Sequence, residues 1–413
     1  MEVQTVFYLI LSFVILDFMI ESILSFLNAS KRSAKIPSEL EGIYNEDEYE
    51  KSQAYEKAKH IFSRFSSIFS FSIILLMLFF DGFAFIDTQV SVYDFNPVIT
   101  SLLFFLVLGI GSEIIGLPFS VYHTFVIEEK FGFNKTSKKT FVFDKLKSWL
   151  LVIVLGGGIL AVVIWLFNVL NENFWIYVWM VLTVFMIAMT MLYSNVIVPL
   201  FNKQTPLEEG ELRTEIEKFA LKAGFKLKNI FVIDGSKRSS KANAYFSGLG
   251  PKKRIVLYDT LISNHSTGEL VAVLAHEIGH YRKKHTLVGI FSSVIQTGVM
   301  LYVFSLLVNS EVLSAALGAN KPSFHIGLLA FGLLYSPIST LLGILMNSIS
   351  RMNEYAADRF AASFDYGVQL IEALKNLSKN NLSNLTPHKA YVFFHYSHPP
   401  LLQRIRALKK FMN

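Results

Sequence analysis

The sequence predicts an α-helical integral membrane protein of seven spanning helices, with a water-exposed α+β segment between the fifth and sixth. Composition, long apolar runs and a one-sided distribution of basic residues carry that expectation. Of 413 residues, 52% are hydrophobic and only 17% charged, and the mean hydropathy is +0.44. Ordinary soluble domains run to about 25% charged residues. Disorder, collagen and disulfide scaffolds are excluded. No cysteine is present, which removes thiol catalysis, thiolate metal sites and disulfides together.

Crossing a bilayer core of roughly 30 Å takes about 20 apolar residues. Seven runs qualify: 5–29, 65–86, 97–121, 149–170, 175–200, 285–308 and 323–347. The first lacks a basic n-region and is too long for a cleavable signal peptide, so it reads as a span. The 38 Lys and Arg lie outside these runs, 37 of them in segments that share one side if there are seven spans. Segment 30–64 holds 7, 122–148 holds 6, 201–284 holds 15 and 348–413 holds 9, while only Lys321 lies in the alternate loops. The positive-inside rule makes that side the cytosol and puts the N-terminus outside. The net charge of +6 therefore reflects membrane topology, and nucleic acid is not an expected partner. Glu113 is expected to face a polar cavity, whereas Asp17 and Glu21 could face such a cavity or reach headgroups.

The organisation expected is a membrane region over 1–200 (spans one to five) and a cytosolic subdomain over 201–284. Spans six and seven follow over 285–347, and 348–413 forms a cytosolic segment. Within the subdomain, Glu209 to Ala223 is amphipathic at helical spacing and closes at Gly224. Ile230–Ile233 reads as a buried strand. Ala242–Ser247 and Arg254–Tyr258 read as extended stretches flanking a Gly248-Leu249-Gly250-Pro251 turn. A further helix is expected from about Thr267 into His285.

That helix carries His276-Glu277-Ile278-Gly279-His280. Residues four apart share a helix face, so both imidazoles reach one metal ion while Glu277 addresses a metal-bound water. Composition alone would produce such a pattern roughly 2% of the time. The preceding apolar run 270–275 argues that the helix is buried, where unpartnered His and Glu would be costly. Neutral imidazoles suit zinc, and a catalytic zinc needs a third protein ligand and an open position. Glu354 is a candidate third ligand, and Asp358, one turn on, suits an acceptor orienting a ligating imidazole. From spacing alone the favoured reading of the two is solvated helix charges paired with Arg351 or Arg359.

The His276–His280 motif, the Glu354-Tyr355-Ala356-Ala357-Asp358 segment and Ser397-His398-Pro399-Pro400 resemble the zinc metalloprotease type of CAAX prenyl protease. That group includes the yeast mating-factor and mammalian prelamin A processing enzymes. The resemblance extends through Phe131–Thr136, Ser236–Ser240, Asn243–Phe246 and Arg254–Leu257, essentially the whole chain. It implies seven spans enclosing a water-filled chamber, with a zincin-like α+β metalloprotease domain at the cytosolic end. It also implies one zinc per chain on His276, His280 and Glu354, with Glu277 activating water and Asp358 and Arg404 behind the ligands. His398 would stabilise the oxyanion, although His395 is a rival donor and His398 could simply be a packing histidine before the Pro-Pro turn. Asn243, Ala244 and Tyr245 would belong to an edge strand aligning substrate, a strand that sequence alone leaves equally able to be interior.

The function implied is a membrane-embedded zinc endopeptidase acting near the C-terminus of prenylated CAAX proteins, or on hydrophobic membrane-associated peptides, from within the lipid bilayer. The membrane would be the endoplasmic reticulum in a eukaryote and the inner membrane in a bacterium. A general quality-control metalloprotease is the nearest alternative. A seven-span transporter or receptor with a structural zinc site would need four protein ligands without cysteine.

Overall fold

The computed structural model describes residues 2–32, 36–225, 230–247 and 254–413. Among the described residues, seven helices are long and apolar enough to cross a membrane: Val3–Ala29, Glu46–Phe79, Pro97–Glu128, Lys138–Leu170, Phe174–Phe201, His285–Leu307 and Phe324–Ala362. Each packs against its neighbours in sequence, and the seventh returns to the first, so the spans close into a ring.

Burial within the spans concentrates at their two ends. In the seventh helix it covers Phe324–Gly327, Ala330 and Phe331, stops, and resumes at Glu354. The first span is buried at Val6 and Ile10 and next at Leu24. A ring sealed at both ends and open between them encloses a chamber. At one end Val6, Ile10, Leu78, Phe104 and Ile326 close around the short helices Gly82–Ser91 and Glu311–Ala316. There His325 is buried between Asp87 Oδ1 at 2.6 Å and Ser101 Oγ at 3.0 Å.

Several boundaries differ from expectation: the third span runs on to Glu128, and the fourth begins at Lys138. The second span does not run through 65–86. It starts at Glu46, where Asn45 and Glu48 form a capping box, and the chain turns at Asp81 (φ 50°) into a separate helix. The helix from Thr267 stops at Arg282, because Lys284 adopts φ 58° and begins the sixth span at His285. The seventh helix continues past the membrane-depth run to Ala362, carrying Glu354 and Asp358 on a rigid extension.

At the other end sits the α+β segment. β1 (Gln204–Pro206), β2 (Ile230–Ile233), β3 (Ala244–Ser247) and β4 (Arg254–Tyr258) form a sheet in the order β1-β2-β4-β3. Only β2 and β4 are parallel. The expected amphipathic helix spans Glu211–Lys222, and Gly224 ends it at φ +63°. The expected turn at Gly248–Pro251 lies outside the described residues.

Ile255 and Leu257 of β4, Ile216 and the helix residues Leu270, Leu274 and Ile278 share one core. Full burial of each such side chain contributes about 1.5–3 kcal/mol. The Thr267–Arg282 helix crosses the seventh helix closely at Gly279, where a Cβ would lie 3.1 Å from Ala357 Cα and 3.2 Å from its carbonyl oxygen. Gly279→Val should overpack this crossing and destabilise the protein by about 1–3 kcal/mol. The check is the thermal midpoint of detergent-purified protein, and an unchanged midpoint would show that the helices separate freely.

Candidate active site

The crossing brings two distant sequence segments together. One ligand atom each from His276, His280 and Glu354 lies within 4.8 Å of the others. His280 Nε2 stands 3.1 Å from His276 Nε2 and 3.1 Å from Glu354 Oε1. Asp358, fully buried, accepts from His276 Nδ1 at 2.8 Å, which turns Nε2 toward the other ligand atoms. Arg404 grips Asp358 with two hydrogen bonds, at 2.9 and 2.5 Å, and places Nη1 3.3 Å from Glu354 Oε2. Neither Arg351 nor Arg359 pairs with these carboxylates. Arg351 binds backbone carbonyls at Val392 and Tyr396, and Arg359 covers the Phe411 ring.

The donor set fits a metal ion. Glu354 Oε2 is buried and makes no hydrogen bond among the described residues; only the looser contacts of Arg404 Nη1 at 3.3 Å and His276 Nε2 at 3.4 Å face it, which leaves an acceptor free for a cation. Burial pushes the His276 imidazole down, yet Asp358 and Glu354 outweigh it and raise it to about 9. The pocket therefore favours positive charge among these three side chains. Two imidazoles and a carboxylate, with no sulfur, match a catalytic zinc better than a structural one.

A cavity of about 630 Å³ opens onto these atoms and is lined by Asn243, Ala244, Tyr245, His276, Glu277, His280, Glu354, His398 and Arg404, among others. Of the residues expected in the site only Asp358 is set back, behind His276. Glu277 is half-buried, with its carboxylate near enough to interact with the charge of Arg404. His398 Nε2 lies 3.3 Å from Glu354 Oε1, with its ring steadied by Ser397 at 3.0 Å. His395 points elsewhere, 3.4 Å from Glu21 Oε2. Glu113 pairs with Lys145 at 2.8 Å.

Among the described residues β3 bonds to β4 alone and so forms the sheet's edge. Tyr258 N–H donates to the Asn243 carbonyl. The antiparallel alternation then turns the backbone groups of Ala244 and Phe246 toward the open side, where the Ala244 N–H donates to Asn243 Oδ1 at 2.8 Å, a local bond that an incoming strand would replace. An open edge with outward amides and carbonyls is what an extended peptide pairs with.

Residues 206–412 match the model of peptidase family M48, and residues 25–203 match the CAAX prenyl protease N-terminal model of five membrane helices. The chain belongs to this family. It is 36% identical to CAAX prenyl protease 1 of Saccharomyces cerevisiae, over 97% of this chain and 94% of that one. It is 32% identical to the CAAX prenyl protease 1 homolog of Homo sapiens, over 92% and 90%. The crystal structure of S. mikatae Ste24p superposes with a TM-score of 0.93 at 37% identity, covering 98% of this chain and 99% of that one. The family assignment, the seven apolar helices and the donor set make the chain an integral, multi-pass membrane metalloprotease.

One residue of the site went unread in the sequence. His285 lines the cavity and meets His280 Nδ1 through its own Nδ1 at 2.9 Å. It thereby turns His280 Nε2 toward the ligand atoms. A third histidine five places after the motif was the available signal, but the break at Lys284 that returns it to the site was not visible. His285→Ala should weaken metal binding about 10–100-fold, the usual effect of removing such a support. Competition with a chelating dye measures it, and unchanged affinity would leave His285 as a lining residue only.

Proposed function

We propose that this protein is a zinc endopeptidase that cleaves near the C-terminus of prenylated CAAX proteins, with its active site toward the cytosol. The observation that carries this reading is the convergence of His276, His280, Glu354 and Glu277 on one cavity bordered by an open strand edge. The orientation rests on the basic residues, 37 of 38 of which sort to the side that bears the site. In a eukaryotic cell the membrane is that of the endoplasmic reticulum.

His276, His280 and Glu354 would hold the zinc, which supplies Lewis-acid polarisation of a carbonyl and lowers the pKa of water. The open edge of β3 at Ala244 holds the peptide extended, with its scissile carbonyl over the cavity floor. Glu277 takes the proton from the attacking water and later delivers it to the leaving amine, a role worth about 10²–10⁴ in rate. His398 donates its Nε2–H to the oxygen on which negative charge develops. Asp358 and Arg404 hold His276 in its working tautomer. The names of the relatives supply the substrate class, and the closed ring of spans gives a lipid-modified peptide a sheltered place beside the site.

Glu277→Gln should retain metal but lose at least about 100-fold in turnover. With a farnesylated CAAX peptide and its unprenylated twin, wild-type protein should cut the farnesylated one preferentially. Equal cleavage would overturn prenyl specificity and favour a general membrane protease. Cleavage of neither by metal-loaded protein would overturn the catalytic assignment.

A further inference from the structure

β3 presents a mechanical problem. Its free edge has to stay open, so the sheet holds it from one side only, through β4. Strands held this lightly lie at the low end of local stability. A misplacement of about 1 Å at a reacting carbonyl can cost roughly 100-fold in rate. Something outside the sheet has to fix the strand.

The run leading into β3 is fastened to the membrane ring residue by residue. Arg238 forms a bidentate pair with Asp144 at 2.7 and 2.8 Å, and its carbonyl accepts from Lys135 N–H at 3.0 Å. Ser239 bridges to Asn134, and Ser240 N–H donates to the Phe133 carbonyl at 3.1 Å. Lys241 then reaches between the second and third spans. Its Nζ donates to Glu128 Oε2 at 2.6 Å and to the Tyr55 hydroxyl at 2.8 Å, while that hydroxyl donates to Glu128 Oε1 at 2.5 Å. The ammonium also lies over the Phe133 ring, 4.4 Å from its centroid.

Tyr55 is 2% exposed and packs on Phe131 and Phe133 at ring distances of 5.0 and 5.1 Å. Glu128 ends a π-helical turn, His123–Glu128, in the third span. Such turns often mark functional positions. Two residues beyond Lys241 stands Asn243, at the wall of the active-site cavity.

We infer that Lys241, clamped by Glu128 and Tyr55, is a positioning residue for peptide hydrolysis: it pins the start of β3 to the second and third spans. The inference rests on the reading of β3 as the edge that pairs with substrate. A single ammonium satisfies a carboxylate and a phenol that are both largely withdrawn from water. Without it Glu128 keeps the Tyr55 hydrogen bond and the more distant His123 Nε2 at 3.9 Å, and a carboxylate that has lost its close cation is costly. The backbone after it is clasped as well: Thr260 Oγ1 donates to the Lys241 carbonyl at 2.9 Å, and the Asn381 amide takes Ala242 N–H at 3.2 Å. Lys241 is thus the last of the fastenings between the ring of spans and the catalytic domain, directly upstream of the strand.

The test uses zinc-loaded, detergent-purified full chain and two inhibitors. Acetohydroxamate reaches only the metal, whereas a four-residue peptidyl hydroxamate also needs the strand. Lys241→Met should weaken the peptidyl inhibitor about tenfold or more while acetohydroxamate binding and zinc content hold. KM for the farnesylated peptide should rise by more than kcat falls, and Lys241→Arg should recover most of the loss. An unchanged peptidyl inhibitor, or equal weakening of both inhibitors, would overturn the pin. Should Lys241→Met not be recovered with metal, Glu128→Gln decides by the same two criteria. An N-methylated peptidyl hydroxamate separates this inference from the reading beneath it. If methylating the pairing amide leaves wild-type affinity unchanged, the strand reading fails. If methylation weakens binding but Lys241→Met does not, the strand reading stands and the pin fails.

Discussion

The close crossing of the Thr267–Arg282 helix over the seventh helix is the contact on which the rest of the structure depends. Glycine at 279 eases it, since a Cβ there would lie only 3.1 Å from Ala357 Cα and the helices would have to give by a few tenths of an ångström. Everything chemical follows from that approach. His276 and His280 flank Gly279 on one helix, and Glu354 and Asp358 flank Ala357 on the other. A chain without cysteine assembles its donors from nitrogen and oxygen, and here two come from one helix and the third from the other. Bringing two rigid helices into contact does this with less freedom than a loop would leave.

The same contact creates an electrostatic problem that the buried groups solve together. Asp358 and Glu354 are both withdrawn from water, at 0% and 3% exposed, and Arg404 is the one guanidinium between them. Two carboxylates against one cation leave a net negative charge in a low dielectric, which a second cation relieves. A raised His276 is one expression of that demand, and affinity for a divalent ion is the other. Arg404 is thus not a spare charge near the site. It makes a fully buried Asp358 tolerable, and Asp358 in turn fixes which His276 nitrogen faces the cavity.

Much of this was legible in the sequence because its signals are local. Apolar run length and the sorting of basic residues give seven spans, and the periodicity of 211–222 gives a helix with its stop at Gly224. His276, Glu277 and His280 declare themselves within five residues. Glu354 does not, since nothing in its own surroundings separates a ligand from a solvated helix charge, and only resemblance singled it out. The turn at Asp81 and the break at Lys284 were hidden for a different reason. Both place non-glycine residues at positive φ, which tertiary packing imposes and composition does not announce. Strand order was equally out of reach. Ala244–Ser247 has the same pattern at an edge as in an interior, and its place is decided by β4 pairing with β2 on its other side.

The carboxylates at membrane depth become intelligible once the spans are seen as a ring. A charged side chain facing hydrocarbon costs about 2.5–3.5 kcal/mol even on lenient scales. Glu21 lines a small cleft with Ser22, Ser25, His60, Ser63 and Arg64, a polar seam between the first and second spans. Glu113 meets Lys145 between the third and fourth. A solid bundle would need to bury such groups among apolar neighbours. Here the middles of the helices are scarcely buried inside the protein at all, so each presents one side to lipid and another to an interior that accepts polar groups. The scarcity of buried residues between Phe331 and Glu354 in the longest helix is therefore a property of the architecture. The helix is a stave in a wall, held at its two ends, and its far end carries Glu354 to the histidines.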